Sequence, residues 1–227
     1  MKMLWRNKGI WVIASVSLLI CLFVAADEAC ACIYDEALNS DWGNYPISRV
    51  KEILQEDISV ESALAPNQKE NMLIGDMRNF YSEFDKVSSG IKYEALCAIS
   101  ALETGHFSSN LCKRHNNVGG MRGKDGYAVF DTKEKGIEAL AELLSQQYLN
   151  NSGDYYNGTT ILDVAQRYNP SLHFVTLYVK IRIDMENRIQ GIEPIYPKEP
   201  CDLCDEVHDG LCKIFNFQPM EALEWTF

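Results

Sequence analysis

Residues 95–111 read Ala-Leu-Cys-Ala-Ile-Ser-Ala-Leu-Glu-Thr-Gly-His-Phe-Ser-Ser-Asn-Leu, and residues 116–122 read Asn-Asn-Val-Gly-Gly-Met-Arg. The first stretch opens as a helix. Leu96, Ile99 and Glu103 recur at spacings of three and four, which is one face of a 3.6-residue repeat, and Gly105 suits a left-handed helix end. Glu103 thus falls on the apolar side of its helix. Burial disfavours the charged form of a carboxyl and raises its pKa. The last turn of a helix is the negative end of its dipole, which disfavours a carboxylate further. No Lys or Arg within helical reach on that face offsets either effect. A carboxyl that keeps its proton has the property that a general acid needs. A helix-end glutamate that turns into solvent fits the same spacing, so periodicity alone leaves both readings open.

Working outward, the flanking segments are mostly helical. Met72, Leu73, Met77, Phe80, Tyr81 and Phe84 recur at helical spacing up to Gly90. Asp131 and Glu134 have capping-box spacing ahead of a stripe of Ile137, Leu140, Ala141, Leu144 and Tyr148. Thr160 is placed to cap a helix carrying Ile161, Val164, Ala165 and Tyr168, which Asn169-Pro170 ends. Leu172, Val175, Val179 and Ile183 continue into a last long helix. Between residues 116 and 130 the helical period is lost, and Gly119, Gly120, Gly123 and Gly126 mark a loop or short hairpin. The expected fold class is mainly α, with a short loop or β-hairpin region. The expected organisation is an N-terminal segment 1–26, an N-terminal extension 27–66, a compact domain 67–190, and a Cys-containing tail 191–227.

These motifs together resemble the glucosaminidase family of peptidoglycan hydrolases, autolysin relatives with a lysozyme-like helical fold. There an alanine-rich helix ends in Glu-Ser/Thr-Gly, with a serine and a leucine following where Ser109 and Leu111 stand. A pair of asparagines precedes a Gly-Ile-Lys-like turn, matched by Asn116, Asn117, Gly120, Met121 and Arg122. Tyr127, Phe130, Asp131 and Gly136 resemble the next block, and 158–161 with Tyr168-Asn169-Pro170 the last. The likeness runs over roughly residues 70–188.

The resemblance implies that Glu103 is the catalytic acid, protonating the leaving oxygen of a β-1,4 bond in the glycan strand. It implies that Tyr168 stabilises oxocarbenium-like charge, although Tyr168 also fits the core stripe of its helix. Asn116 and Asn117 would shape the groove floor or serve the turn, since Asn suits tight turns. Tyr127 and Phe130 would stack on sugars or pack inward. Thr104 and Ser109 join the substrate-binding set as local hydrogen-bonding residues. Glycosidases usually pair two carboxyls; here the stretch after the turn is short, and Asp125 is the candidate second acid. Without such a base, a group of the substrate itself could close onto the anomeric carbon, which is lytic transglycosylase chemistry. A lysozyme-like module that binds glycan without cutting it is the rival from another class. The expected partner is the peptidoglycan glycan strand, and no cofactor is expected.

Composition and targeting signals agree with an exported protein. The chain has 227 residues and a net charge of −11, a surface that repels phosphate backbones and argues against nucleic-acid binding. Lys2, Arg6 and Lys8 precede 17 uncharged residues, Ile10 to Ala26, that end in small side chains. That pattern reads as a secretory signal. An uncleaved anchor is the alternative, though a membrane span wants ~20 residues. The tail carries Cys201, Cys204, His208 and Cys212, a spacing open to a small zinc site or, in an exported chain, to disulfides. Cys97 and Cys112 flank the Glu103 segment and would bridge if the loop folds back. A Cys/His nucleophile has no accompanying motif.

Overall fold

The helix that carries Glu103 is surrounded on nearly all sides. In this computed structural model, which describes residues 37–38, 42 and 45–192, Tyr93 to Ala101 are all buried. A helix apolar around its whole circumference belongs at the centre of a core. Its Ala95, Ala98, Ser100 and Ala101 are small enough to let neighbouring helices approach closely. The single apolar face read from Leu96 and Ile99 is therefore part of a wider buried surface.

The elements in chain order are α1 (Ile47–Leu54), α2 (Pro66–Met72), α3 (Tyr81–Val87), α4 (Tyr93–Thr104), α5 (Asn110–His115), the strands β1 (Arg122–Gly123) and β2 (Gly126–Tyr127), α6 (Lys133–Leu143), α7 (Ile161–Tyr168) and α8 (Leu172–Ile189). The fold is mainly α. Its two strands form one antiparallel hairpin in which Arg122 faces Tyr127 and Gly123 faces Gly126. The run from Met72 to Phe84 is not one helix. A 3-10 turn over Gly75–Phe80 separates α2 from α3, and it keeps Met77 and Phe84 pointing into the same core.

Capping differs from expectation at one place. The N-cap of α6 is Thr132, whose hydroxyl accepts from the Lys135 N–H, so Asp131 is not the cap. Thr160 caps α7 as expected, and Asp163 completes a capping box. Ser171 caps α8 by accepting from the Phe174 N–H. Cys97 and Cys112 are both buried free thiols and do not bridge. Cys97 sits inside α4 beside the Tyr93 hydroxyl, and burial pushes its pKa up.

α4 and α8 lie side by side in the same direction. Tyr178 lies within electrostatic reach of Glu94, Cys97 of Arg182 and His106 of Arg188, so the two helices rise together toward the end of α4 that holds Glu103. The core extends through residues before Pro66. Val50, Ile53, Leu54 and Ile58 are fully buried in it. The Ile58 N–H donates to the Thr159 carbonyl at 2.9 Å, and Lys92 N–H donates to Ile58 O at 2.7 Å. The Tyr45 hydroxyl donates to Asp184, and Arg49 bonds Glu186 through two nitrogens.

Beneath this seam lies Arg182, a guanidinium 1% exposed on α8. It donates to Glu56 Oε2 at 2.7 Å and to the Tyr178 hydroxyl at 3.0 Å, while Lys92 bonds the other Glu56 oxygen at 2.8 Å. Burial pulls the Glu56 pKa upward, but the Arg182 and Lys92 charges outweigh it and hold the carboxyl below its usual range. Removing one partner of such a buried pair strands the other charge. Glu56→Gln should therefore lower unfolding stability by about 3 kcal/mol at pH 7, read from urea midpoints. Because the folded pKa is depressed, this contribution is present above the ordinary carboxylate range and is lost as pH falls through the folded value. The gap between wild type and variant should close in strong acid. A gap that persists there would show that shape, not charge, is what Gln disturbs.

Candidate active site

Glu103 stands in the last turn of α4, next to Thr104 and the left-handed Gly105. Glu103 is partly buried, and its carboxyl has no hydrogen-bond or ion-pair partner among the described residues. Burial alone pushes its pKa up to about 7, from an ordinary 4.5. A neighbouring carboxylate would add a Coulombic push, and none does.

The chain then makes three successive residues of positive φ: Gly105 at 54°, His106 at 55° and Phe107 at 69°. Such angles are costly for side chains with a Cβ. Phe107 holds the turn because it is 1% exposed and packs on Phe80 and Phe84, with ring centres 5.8 and 6.0 Å away. The buried Thr104 hydroxyl donates to Ser100 O at 2.6 Å and accepts from Phe107 N–H at 2.9 Å. Thr104 therefore fixes the turn after Glu103 and is closed to solvent. Ser109 acts as the N-cap of α5, accepting from the Cys112 N–H at 3.2 Å.

Opposite Glu103 comes the turn after α5. Asn116 is left-handed, with φ 52°, and its amide donates to Phe130 O at 2.9 Å. Asn117 is fully buried and clamps the turn. Its amide donates to Met121 O at 2.7 Å and Ala128 O at 3.0 Å, and its oxygen accepts from the Gly119 and Met121 N–H groups. The turn reading of both asparagines is what these bonds describe. The clamp presents Gly120 to Glu103. Gly120 has φ +63°, and a Cβ there would lie 2.7 Å from Glu103 Oε2, so only hydrogen fits. Gly136 similarly lets α6 press against the Asn116 carbonyl, since a Cβ would overlap that oxygen.

Tyr168, at the end of α7, completes the cluster. Its hydroxyl donates to Gly119 O at 2.5 Å. Burial raises its pKa well above the usual value, with the Glu103 charge contributing next, which places the phenol within electrostatic reach of the acid. Tyr148 meets it edge-on at 5.6 Å and stacks on Tyr155 at 5.3 Å. Sequence periodicity found Tyr148 as core, but it gave no sign of Tyr155, which comes from an irregular loop. The structure thus brings Glu103, Gly119, Gly120 and Tyr168 together.

The remaining candidates lie further out. Asp125 is exposed in the hairpin turn between β1 and β2, and Tyr127 is 48% exposed with Arg122 stacked over its ring at 4.8 Å. Phe130 is partly buried against the core. Among the described residues no group of three or more metal-ligating side chains occurs, and no helix is long and apolar enough to cross a membrane. The N-terminal segment and Cys201, Cys204, His208 and Cys212 lie outside the described residues.

The chain is similar in fold to autolysin E of S. aureus, solved in complex with the muropeptide NAM-L-Ala-D-iGlu. That likeness has 14% identity and a TM-score of 0.52, and covers 74% of this chain and 95% of that one. No protein-family model matches the sequence, and no curated protein does.

The burial of Glu103 has a consequence for stability. A carboxyl whose folded pKa lies above its unfolded value stabilises the fold fully at low pH, and that contribution is lost as pH rises from about 4.5 to about 7. Glu103→Gln keeps the neutral shape at every pH. The variant should therefore be the more stable form at pH 8, by roughly 3 kcal/mol from the usual 1.36 kcal/mol per pKa unit, and should match wild type near pH 4. Thermal melts across that range measure it. A variant less stable at pH 8 would mean that the carboxylate is solvated. Separately, Gly120→Ala should displace the Glu103 carboxyl and lower the melting temperature, while the helical circular dichroism of the fold is kept.

Proposed function

We propose that the protein is an exported enzyme that cleaves β-1,4 bonds in the glycan strand of peptidoglycan, with N-acetylglucosaminidase activity and Glu103 as general acid. The observation that carries this reading is the desolvated, unpaired carboxyl at the end of α4, with a pKa near 7 set by burial alone. Such a group is protonated when substrate arrives and acidic enough to give its proton to a leaving oxygen. The fold's likeness to a muropeptide-binding autolysin supports the choice of polymer.

Tyr168 suits the charge that develops. Its proton is committed to Gly119 O, so the phenolic oxygen has lone pairs left to face an oxocarbenium-like carbon. Tyr127 on the hairpin, half exposed and aromatic, suits stacking on a sugar face.

One observation favours a second reading, lytic transglycosylation. Asp125 is exposed at the hairpin tip, and no carboxylate perturbs Glu103. A water-activating base is therefore missing beside the acid among the described residues. A hydroxyl of the same sugar could instead attack the anomeric carbon. Glu103, having protonated the leaving oxygen, would take that hydroxyl's proton and be restored, and the product would be an anhydro sugar one water lighter than a reducing end.

The test is a digest of purified cell walls. Wild type should clear a cell-wall zymogram and Glu103→Gln should not; equal clearing by both would remove Glu103 from its role. No clearing by wild type would favour the glycan-binding rival. Mass spectrometry of the released ends then assigns hydrolysis or ring closure. Since the acid must be protonated, the rate should fall about tenfold per pH unit above pH 7. A rate constant from pH 6 to pH 9 would contradict a titrating acid.

A further inference from the structure

The chain carries 21 cations against 32 acids, yet residues 110–135 reverse the balance, with six cations against three acids. Elsewhere among the described residues Arg49, Lys69, Lys86, Lys92 and Arg182 pair with an acid, while Lys51, Arg78, Arg167, Lys180 and Arg188 do not. Here only Lys135 does, with Glu138 at 2.6 Å. Lys113, Arg114, Arg122, Lys124 and Lys133 have no ion-pair partner among the described residues. Lys133 lies over the Phe107 ring and Arg122 over Tyr127, while Lys113, Arg114 and Lys124 project into solvent. The three acids do little to neutralise them. Asp125 and Asp131 are exposed and unpaired, and Glu134 is engaged at the start of α6 with Thr132.

These cations share one lobe. Phe130 N–H donates to His115 O at 2.9 Å, and the Asn116 amide donates to Phe130 O, tying α5 to the segment between the hairpin and α6. Lys113 and Lys133 both lie within electrostatic reach of Cys112, which brings α5 and the start of α6 together. The same lobe presents Gly120 to Glu103. A cluster of unneutralised cations on an otherwise acidic surface raises the local concentration of anions and steers them in.

We propose that this hairpin lobe is a binding site for the carboxylates of the peptide stems borne by the glycan strand. The proposal rests on the peptidoglycan reading above. Stems are joined to the strand that enters the site, so their carboxylates fall beside the bond being cut. A free phosphate polymer has no such tether to the scissile bond. The lobe thus makes substituted strands better substrates than bare ones, and it does so through KM.

The test compares intact strands with strands whose stems an amidase has removed, using the full chain and Lys113→Gln/Arg114→Gln/Lys124→Gln. Wild type should show a KM about fivefold to tenfold lower on intact strands, the scale of a few exposed ion pairs acting together. That preference should shrink toward one in the triple variant and in high salt. Equal KM values for wild type on both strands, or a preference that survives the triple substitution, would overturn the proposal. Polyglycerol phosphate added as competitor should inhibit only weakly. Inhibition by it as strong as by free stem peptide would overturn the assignment to stems. If wild type cuts neither strand, the enzyme reading fails while this one stays open to test by co-sedimentation. Intact strands retained better than stripped ones by wild type, and not by the triple variant, support the lobe; equal retention overturns it.

Discussion

Everything about the site follows from holding one carboxyl partly out of water at the end of a helix. A charged Glu103 in that position has no cation to face, and the helix dipole adds to the penalty. The protein meets this by holding the acid neutral over much of the pH range. That requires backbone to come close on one side without supplying a charge. Gly120 does this. Its missing Cβ lets backbone reach the acid, where any side chain would strike Oε2. The left-handed turn through Gly105, His106 and Phe107 follows the acid directly, and the buried Phe107 ring offsets its strain. An acid made this way costs stability whenever it ionises, and the buried seam of α1, α4 and α8 supplies the rigidity that tolerates it.

The turn that carries Gly120 is positioned by polar bonds from two directions. Asn117 is buried with both its amide and its oxygen used inside the turn, so the turn has little freedom to relax away from Glu103. From the far side, the Tyr168 hydroxyl holds Gly119 O. The acid, the turn and the phenol are thereby linked through two adjacent glycines. Satisfied buried networks of this kind specify a single geometry.

Much of this was legible in the sequence because it depended on local rules. The helical spacing that put Glu103 on an apolar face, the Gly105 end, the Thr160 cap and the glycine-marked hairpin all appear where local chemistry placed them. What was not legible depended on tertiary context. The period through Met72 to Phe84 is broken because Gly75 bends the chain into a 3-10 turn that only packing selects. Asp131 and Thr132 both suit a cap, and the backbone chose Thr132. The spacing of Cys97 and Cys112 allowed a bridge, but Cys97 lies within α4 and both thiols stay free. Asn116 and Asn117 were open between groove floor and turn chemistry, and only the bonds they make distinguish these. Tyr155 had no periodic signal, since it reaches Tyr148 from a loop. Arg182 in the core runs against the rule that charge stays outside, and its partners Glu56 and Lys92 are too distant in sequence to reveal it.

The acidity of Glu103 and the charge of the lobe beside it are governed by different physics. Burial sets the acid's pKa, and burial is indifferent to ionic strength. The cations of α5 and the hairpin act through solvent, where salt screens them within about 8 Å under physiological conditions. None of them appears among the influences on Glu103, although they stand on the lobe that covers it. The charge of this surface can therefore vary without detuning Glu103, and the carboxyl can keep its pKa beneath a surface whose net charge is strongly negative. Had the acid been tuned by a neighbouring charge instead, every change in the lobe would have shifted it. Desolvation by a glycine-lined backbone separates the two, so the acidity of Glu103 and the charge of the lobe are set by different residues within one small turn.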